Sequence, residues 1–184
     1  MVKKAIIING DPKKRSSFSI YLAEIQSLLN KKDFEVTLVD LAEKNIKQCI
    51  GCWDCWWKTP GMCRFNDDAP EILKQTIKSD LVIYASPLIM GMYSALLKKL
   101  HDRTIPLVHP YIEIIEGECH HRKRYPRYPK MGILLDNRNA TPEAIEINRE
   151  IFQRISLNFH SEVKFFNLIN DKDAKTTANE ISHL

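Results

Sequence analysis

The sequence predicts an α/β fold in which five parallel strands form one doubly wound sheet. Short apolar, β-branched runs recur along the 184 residues without the strict alternation of a half-exposed strand. Such runs are typical of strands that are buried on both faces. Stretches with helical periodicity lie between the runs, and this alternation implies right-handed βαβ crossovers. We therefore expect a single domain over residues 1–184, which is long enough to bury a substantial core.

The first half of the chain supplies three strands, predicted at 5–8, 34–41 and 81–85. A helix is expected from Ser17 to Leu29, because the apolar residues there recur at helical spacing. A second helix is predicted at 68–78. Its start carries Asp68 as a cap, a proline in the first turn and Glu71 three residues after the cap. Ser86 and Pro87 should end the third strand before a helix at 94–100.

The second half adds two strands, predicted at 131–135 and 163–168, with a helix at 141–159 between them. Residues 108–115 are apolar and β-branched enough for an extra edge strand or a subunit contact. Five strands connected in this way fit a flavodoxin-like sheet with the order 2-1-3-4-5. Ligands of such sheets bind beyond the carboxyl ends of the strands.

Composition sets broad limits on function. Hydrophobic residues make up 44% and charged residues 27% of the chain, as in ordinary soluble domains. The net charge of +4 points to no particular partner. The apolar run at 5–8 is too short for a signal peptide, and no segment reaches membrane-spanning length. We expect a cytoplasmic, reducing location and no membrane partner.

The first loop, residues 9–19, has the features of an anion site. It leaves the end of a strand and enters a helix, where free N–H groups and the helix dipole favour negative charge. Ser17 and Ser19 add hydroxyl donors, and Lys13 and Arg15 add positive charge. Neither a Rossmann glycine pattern nor a Walker lysine is present. The alternative is a solvated loop with a serine cap.

Four of the five cysteines fall in one window with the spacing C-x2-C-x2-C-x7-C, at Cys49, Cys52, Cys55 and Cys63. This spacing resembles the compact thiolate runs of iron–sulfur proteins more than paired zinc motifs. Three interpretations remain open: a four-iron cluster, free thiols that pack as small apolar residues, and structural zinc. The tryptophans within the window would shield a cluster, wall a pocket or pack the loop against the body.

Three ordered motifs carry a resemblance to a known family. Residues 10–19 resemble the FMN phosphate loop of flavodoxin-like NAD(P)H-dependent FMN reductases and quinone reductases. Residues 86–103 resemble their second signature, which lies against the flavin ring. The cysteine window followed by Asp67 and Asp68 resembles the iron–sulfur flavoproteins, a branch of the same family. The resemblance covers residues 3–103 well and the remainder loosely.

The resemblance implies FMN as cofactor, NAD(P)H as co-substrate and a [4Fe-4S] cluster at Cys49, Cys52, Cys55 and Cys63. No dedicated catalytic side chain is implied, because the flavin carries the chemistry. It also implies a homodimer or tetramer. The candidate FMN-binding residues are Asp11, Lys13, Arg15, Ser17, Phe18, Ser19, Pro87, Leu88, Ile89, Met90, Gly91, Tyr93, Asp136 and Asn137.

Two positions depart from the family pattern. Asp11 stands where the reductase branch usually has serine, so its carboxylate would repel a phosphate unless it points away and holds the turn. The third flavin loop, 136–140, lacks the paired glycines that often lie near the ring. Backbone amides would have to serve there instead.

These observations favour an FMN-dependent oxidoreductase that takes hydride from NAD(P)H and passes electrons to a quinone, flavin or other small acceptor. The alternative is an electron carrier that uses FMN and a cluster with a redox protein as partner. A nucleic-acid-binding module is disfavoured. The basic stretch 119–130 reads as a solvated loop, and adjacent residues such as His120 and His121 point apart rather than toward one metal.

Overall fold

The computed structural model describes residues 2–13, 16–138 and 140–184. The described strands are β1 (Lys3–Asn9), β2 (Phe34–Asp40), β3 (Leu81–Ile89), β4 (Met92–Tyr93), β5 (Val108–Ile115), β6 (Glu118–Lys123), β7 (Lys130–Asp136) and β8 (Val163–Leu168). The described helices are α1 (Ser17–Asn30), α2 (Asp54–Trp57), α3 (Ala69–Lys78), α4 (Ala95–His101), α5 (Pro142–Asn158) and α6 (Ala174–Ser182). Short 3-10 turns occupy Leu41–Glu43 and Ile105–Leu107.

The central sheet confirms the predicted topology. Five parallel strands run in the order β2-β1-β3-β7-β8, which is 2-1-3-4-5 when the sheet strands are numbered along the chain. The carboxyl ends of β1, β3 and β7 therefore lie side by side. The order reverses direction at β1 and β3, and such a switch point is where this fold class binds ligands.

The core lies on both faces of the sheet, as the apolar runs predict. On β1, Ala5 and Ile7 pack beneath α1 and α6, while Ile6 and Ile8 pack beneath α3, α4 and α5. All four side chains are at most 2% exposed. A strand covered on both faces cannot alternate polar and apolar residues, which explains the continuous runs.

The third strand is longer than predicted. β3 continues through Pro87 to Ile89, so the prediction that Ser86 and Pro87 end it is wrong. The pairing with β1 stops at Ala85, and β7 alone accompanies the strand from there to Pro87. A proline lacks an N–H donor, and it is tolerated where one side of the strand has no neighbour.

The prediction of a solvated loop for the basic stretch 119–130 is wrong for its first part. Residues 118–123, predicted as loop, form β6, which pairs antiparallel with β5 in a separate two-stranded sheet. The predicted strand at 108–115 exists, but it lies outside the main sheet. Glu116 and Gly117 join the two strands with φ of 53° and 82°. Positive φ at both central residues is typical of a tight hairpin turn.

Two of the described helices had no prediction, and neither did the two-residue strand β4. The helix α6 covers the sheet beside α1, and α2 lies inside the cysteine window. Asp68 caps α3 by position as predicted, but its carboxylate accepts from the backbone N–H of Asn45 at 2.6 Å instead of from the helix. Among the described residues, no helix is long and apolar enough to cross a bilayer.

Candidate functional site

A pocket of about 340 Å³ opens at the carboxyl ends of β1, β3 and β7. Its lining residues are Asp11, Pro12, Lys13, Ser16, Pro87, Leu88, Ile89, Asp136 and Arg138. The structure thus brings together parts of all three loops that the sequence singled out. Its lining combines charged and polar side chains from the first and third loops with the apolar Pro87, Leu88 and Ile89 of the second. This combination suits a ligand that carries both an anionic group and an apolar part.

Six of the fourteen candidate residues line this pocket, namely Asp11, Lys13, Pro87, Leu88, Ile89 and Asp136. Arg15 lies outside the described residues. The remaining candidates are not among the lining residues, namely Ser17, Phe18, Ser19, Met90, Gly91, Tyr93 and Asn137. Pro12, Ser16 and Arg138 also line the pocket and were missed by sequence reasoning.

Asp11 holds the turn of the first loop. Its carboxylate accepts from the backbone N–H of Lys13 at 2.9 Å and from the Ser16 hydroxyl in a short contact. Its own N–H donates to Asn9 Oδ1 at 3.0 Å. Asp11 is 4% exposed, so this carboxylate is occupied by the protein. The conflict between an acidic side chain and an anion site is resolved in favour of a structural role.

The start of α1 is organised by serine hydroxyls. Ser16 is the N-cap, and its Oγ accepts from the Ser19 backbone N–H at 3.1 Å. The Ser19 hydroxyl accepts from Asn9 Nδ2 at 3.2 Å, so it is turned toward the loop network. The Phe18 ring is 1% exposed and belongs to the core beneath α1, which leaves its backbone alone to face a ligand.

Arg138 connects the third loop to the first. Its Nε donates to both oxygens of Asp136 at 3.0 and 2.9 Å, and its Nη2 donates to Ser17 Oγ at 3.3 Å. Burial would raise the pKa of Asp136, but hydrogen bonds from Arg138 and Asn170 lower it below its ordinary value. The carboxylate therefore stays ionised and fixes the guanidinium beside the helix start. Arg138 thus places a positive charge in the third loop, which lacks the paired glycines of the family.

The second loop, at residues 89–92, has a strained backbone that a residue of α5 holds in place. Met90 has φ of 52° and is 99% exposed, and Gly91 follows with φ of 81°. Asn148 on α5 secures this turn, since its Nδ2 donates to Gly91 O at 2.8 Å and its Oδ1 accepts from the Tyr93 N–H at 3.1 Å. Sequence reasoning missed Asn148, because 55 positions separate it from Tyr93.

Tyr93, one of the candidate FMN-binding residues, is not among those that line the pocket. Its side chain is 7% exposed, and its hydroxyl lies 3.4 Å from His101 Nδ1 behind the loop. Burial lowers the pKa of His101 to about 3, so the imidazole is neutral there. Tyr93 supports the turn from inside the protein.

The first and second loops are joined through Ser94. Its Oγ donates to the carbonyl of Gly10 in a short contact, and its N–H donates to Ser86 Oγ at 2.8 Å. A Cβ on Gly10 would lie 2.8 Å from Leu97 Cβ, closer than carbon atoms normally approach. Gly10 is thus required by the close packing of the first loop against α4.

The cysteine window forms a second, smaller cavity. Cys49, Cys52, Cys55 and Cys63 all line a space of about 20 Å³. Gly51 and Trp53 have φ of 65° and 61°, and these left-handed residues turn the chain on both sides of Cys52. Burial and the neighbouring thiols, Cys63 first, raise the pKa of Cys55 to about 11. The four cysteines of the window thus line one common cavity.

Within residues 2–13, 16–138 and 140–184, no three His, Cys, Asp or Glu side chains are arranged as ligands of one metal ion. Trp56 packs the window against the body, with its Nε1 donating to Ile105 O and Val108 O at 3.1 Å each. Trp53 stacks on Trp56 at 4.8 Å, while Trp57 is 68% exposed.

Comparison with known proteins gives consistent results. The family model described as NADPH-dependent FMN reductase matches residues 3–114. An iron-sulfur flavoprotein of Methanocaldococcus jannaschii is 36% identical over 104 residues, covering 56% of this chain and 53% of that protein. An iron-sulfur flavoprotein of Archaeoglobus fulgidus is 36% identical over 106 residues, covering 58% and 47%. The chain thus spans about half the length of the curated relatives it matches.

Two solved structures share the fold. The NAD(P)H:quinone oxidoreductase from Methanothermobacter marburgensis superposes with a TM-score of 0.65 at 15% identity, covering 99% of this chain and 96% of that one. An FMN-dependent NADH-azoreductase from Bacillus anthracis, solved in complex with FMN, gives 0.64 at 14% identity and covers 98% of each chain. At these identities the likeness confirms the flavodoxin-like architecture.

Proposed function

The chain belongs to the NADPH-dependent FMN reductase family, and from this premise we propose that it is an FMN-dependent oxidoreductase. NADH or NADPH would supply hydride, and a quinone, flavin or other small molecule would accept the electrons. The observation that carries the proposal is the pocket where the first, second and third loops meet at the strand ends. Its charged and apolar lining residues match the phosphate and the ring of FMN in chemical character.

The residues present fit FMN by their donor chemistry. Free N–H groups at the start of α1 would hold the phosphate, with Ser17 and Arg138 adding a hydroxyl and a positive charge. Pro87, Leu88 and Ile89 would lie along the ring and exclude water from it. Bound FMN would supply hydride and electron transfer, so the protein needs no acid–base pair of its own.

The turn at 89–92 would set the position of the ring. Asn148 binds the backbone on both sides of Met92, which keeps the Met90 and Gly91 peptides in one orientation. A preorganised backbone can place its donors before the ligand arrives, and it loses little entropy on binding. Ile89, Met90 and Met92 remain 46%, 99% and 40% exposed. A second copy of the chain would cover this exposed apolar rim, which supports the proposal of a homodimer or tetramer. The cytoplasmic location stays a prediction.

Reduction of the FMN-loaded chain by a nicotinamide tests the activity directly. We expect NADH or NADPH to bleach the flavin absorbance in anaerobic stopped-flow experiments without any partner protein. Chain whose FMN has been removed serves as the control and should show no such change. If dithionite or a reduced redox protein bleaches the flavin but neither nicotinamide does, the oxidoreductase proposal fails and the electron-carrier alternative replaces it.

The phosphate site is tested by the substitution Ser17→Ala. Each hydroxyl bonded to a charged group contributes about 1.5–3 kcal/mol, so FMN affinity should fall at least tenfold. Riboflavin lacks the phosphate, and its affinity should stay unchanged. Fluorescence titration with both flavins measures this, and Ser182→Ala, outside the pocket, is the matched control. Equal losses for FMN and riboflavin would place the phosphate elsewhere.

A specific observation favours the second candidate, an electron carrier with FMN and a cluster. Four thiols line one cavity, and the relatives that match the chain are named iron-sulfur flavoproteins. Cys49, Cys52, Cys55 and Cys63 would hold a [4Fe-4S] cluster, which would exchange single electrons with a redox protein. The cavity measures about 20 Å³. The exposed loop around Cys52 would have to move outward to admit the metal core.

A further inference from the structure

Arg103 is a buried cation that the flavin pocket does not use. It follows α4, is 2% exposed, and lines the cavity formed by the four cysteines. A fully buried guanidinium is uncommon, and it persists where its charge and its donors are matched. The acceptors and charges around Arg103 therefore indicate which group its charge and donors serve.

Most of its donors are accounted for within the protein. Nη1 donates to Lys47 O and to Asp67 Oδ2 at 2.7 Å each, and Nη2 donates to Asp67 Oδ1 at 3.0 Å. The Nε–H is buried without a hydrogen-bond partner among the described residues. A buried donor of a charged group is costly to leave unpaired, so an acceptor is expected beside it.

In the cavity, Arg103 lies beside cysteine sulfur, with the Cys63 thiol as a near neighbour. Burial alone would lower the pKa of Arg103, but the bonded Asp67 carboxylate and the nearby Cys63 thiol raise it. The Phe65 ring covers the guanidinium at 5.2 Å and keeps water from it. In a dry site of this kind both a positive charge and an N–H donor act strongly on a neighbouring sulfur.

We propose that Arg103 tunes the reduction potential of an iron–sulfur cluster at the four cysteines, donating its Nε–H to a cluster or thiolate sulfur. This inference rests on the proposed cluster. Reduction adds one electron to the cluster and neither forms nor breaks a bond. A hydrogen bond to sulfur and an adjacent cation favour the more negative, reduced state and raise the potential. Asp67 keeps the guanidinium in place while leaving the Nε free.

The test is an anaerobic redox titration of the full chain, followed by electron paramagnetic resonance, for the parent, Arg103→Gln and Arg64→Gln. Arg64 lines the same cavity, but its side chain is 51% exposed and pairs with Asp54. We expect a lower cluster midpoint in Arg103→Gln and the parent's midpoint in Arg64→Gln, with the flavin midpoint unchanged in both. A cluster-loaded Arg103→Gln with the parent's midpoint overturns the inference, because a purely structural role would leave the potential unmoved.

A measurement on the folded parent avoids dependence on the variant's stability. Chain labelled with ¹⁵N-arginine and reduced under anaerobic conditions should show hyperfine coupling between one arginine nitrogen and the cluster spin. The coupling should persist in Arg64→Gln. Iron-loaded parent without this coupling overturns the role of Arg103 and leaves the cluster standing. Anaerobically isolated parent without iron overturns both.

Discussion

Replacing Cys52 with alanine is expected to strip the anaerobically prepared protein of its iron, while Cys119→Ala retains the iron content of the parent. Cys52 is one of the four thiols that line the window cavity, and removing one of four cluster ligands leaves an incomplete coordination sphere. Cys119 is exposed on β6, outside that cavity, so it controls for the loss of a thiol as such. The measurement is iron and acid-labile sulfide per chain.

The outcome decides between a four-iron cluster and free thiols in the window. Parent protein that contains FMN but no iron after anaerobic isolation would make the cysteines lining residues of a plain flavin reductase. Iron content equal to that of the parent in both variants would indicate that the metal binds without using the window. FMN content should be the same in all three proteins, because the flavin pocket and the window are lined by separate residues.

Asp67→Ala is expected to lower the free energy of unfolding by about 3–5 kcal/mol, since it leaves a buried arginine without its counter-charge. The side chains of Arg103 and Asp67 are 1% and 0% exposed, and two hydrogen bonds join them. Urea denaturation followed by circular dichroism measures the change. The control is Glu150→Gln, which breaks the exposed pair with Arg154 and should cost less than about 0.5 kcal/mol. A loss as small as that of the control would contradict a stabilising role for the buried pair.

The same pair predicts a pH dependence. Burial would raise the pKa of Asp67, but hydrogen bonds from Arg103 and from the backbone of Lys47 and Ala69 lower it overall. A carboxyl group whose pKa is lower in the folded than in the unfolded protein stabilises the fold at pH values above its unfolded pKa, which is about 3.9 for aspartate. That contribution is lost as pH falls through the folded pKa. Parent stability should therefore drop below pH ~4 more steeply than that of Asp67→Ala, and parallel curves would contradict the assignment.

The topology was predictable because its determinants are local. A run such as 5–8 is apolar on both faces whatever it packs against, and helical periodicity between the runs leaves a parallel order as the natural arrangement. The pocket-lining residues Asp11, Lys13 and Asp136 were within reach for the same reason. They follow strand ends, and the fold class brings strand ends together.

The hairpin and the end of β3 were missed for a different reason. Pro87 is a strand breaker unless a neighbouring strand has already stopped, and only the register of β1 against β3 reveals that it has. Glu116-Gly117 is a weak turn signal, and a charged stretch such as 118–123 forms a strand once β5 supplies a partner. Pairing between strands decided both cases.

Most residues that hold the candidate site together are visible only in the folded molecule. Asn148 clamps a loop 55 positions away, Ser94 reaches Gly10 across 84, and Arg103 pairs with Asp67 across 36. A polar side chain carries no local sign of its partner, because its hydrogen bonds depend on distances that the chain path alone sets. Local pattern therefore accounts for the strands, the loops and the cysteine spacing, whereas packing decides which donors meet which acceptors and which charges become buried.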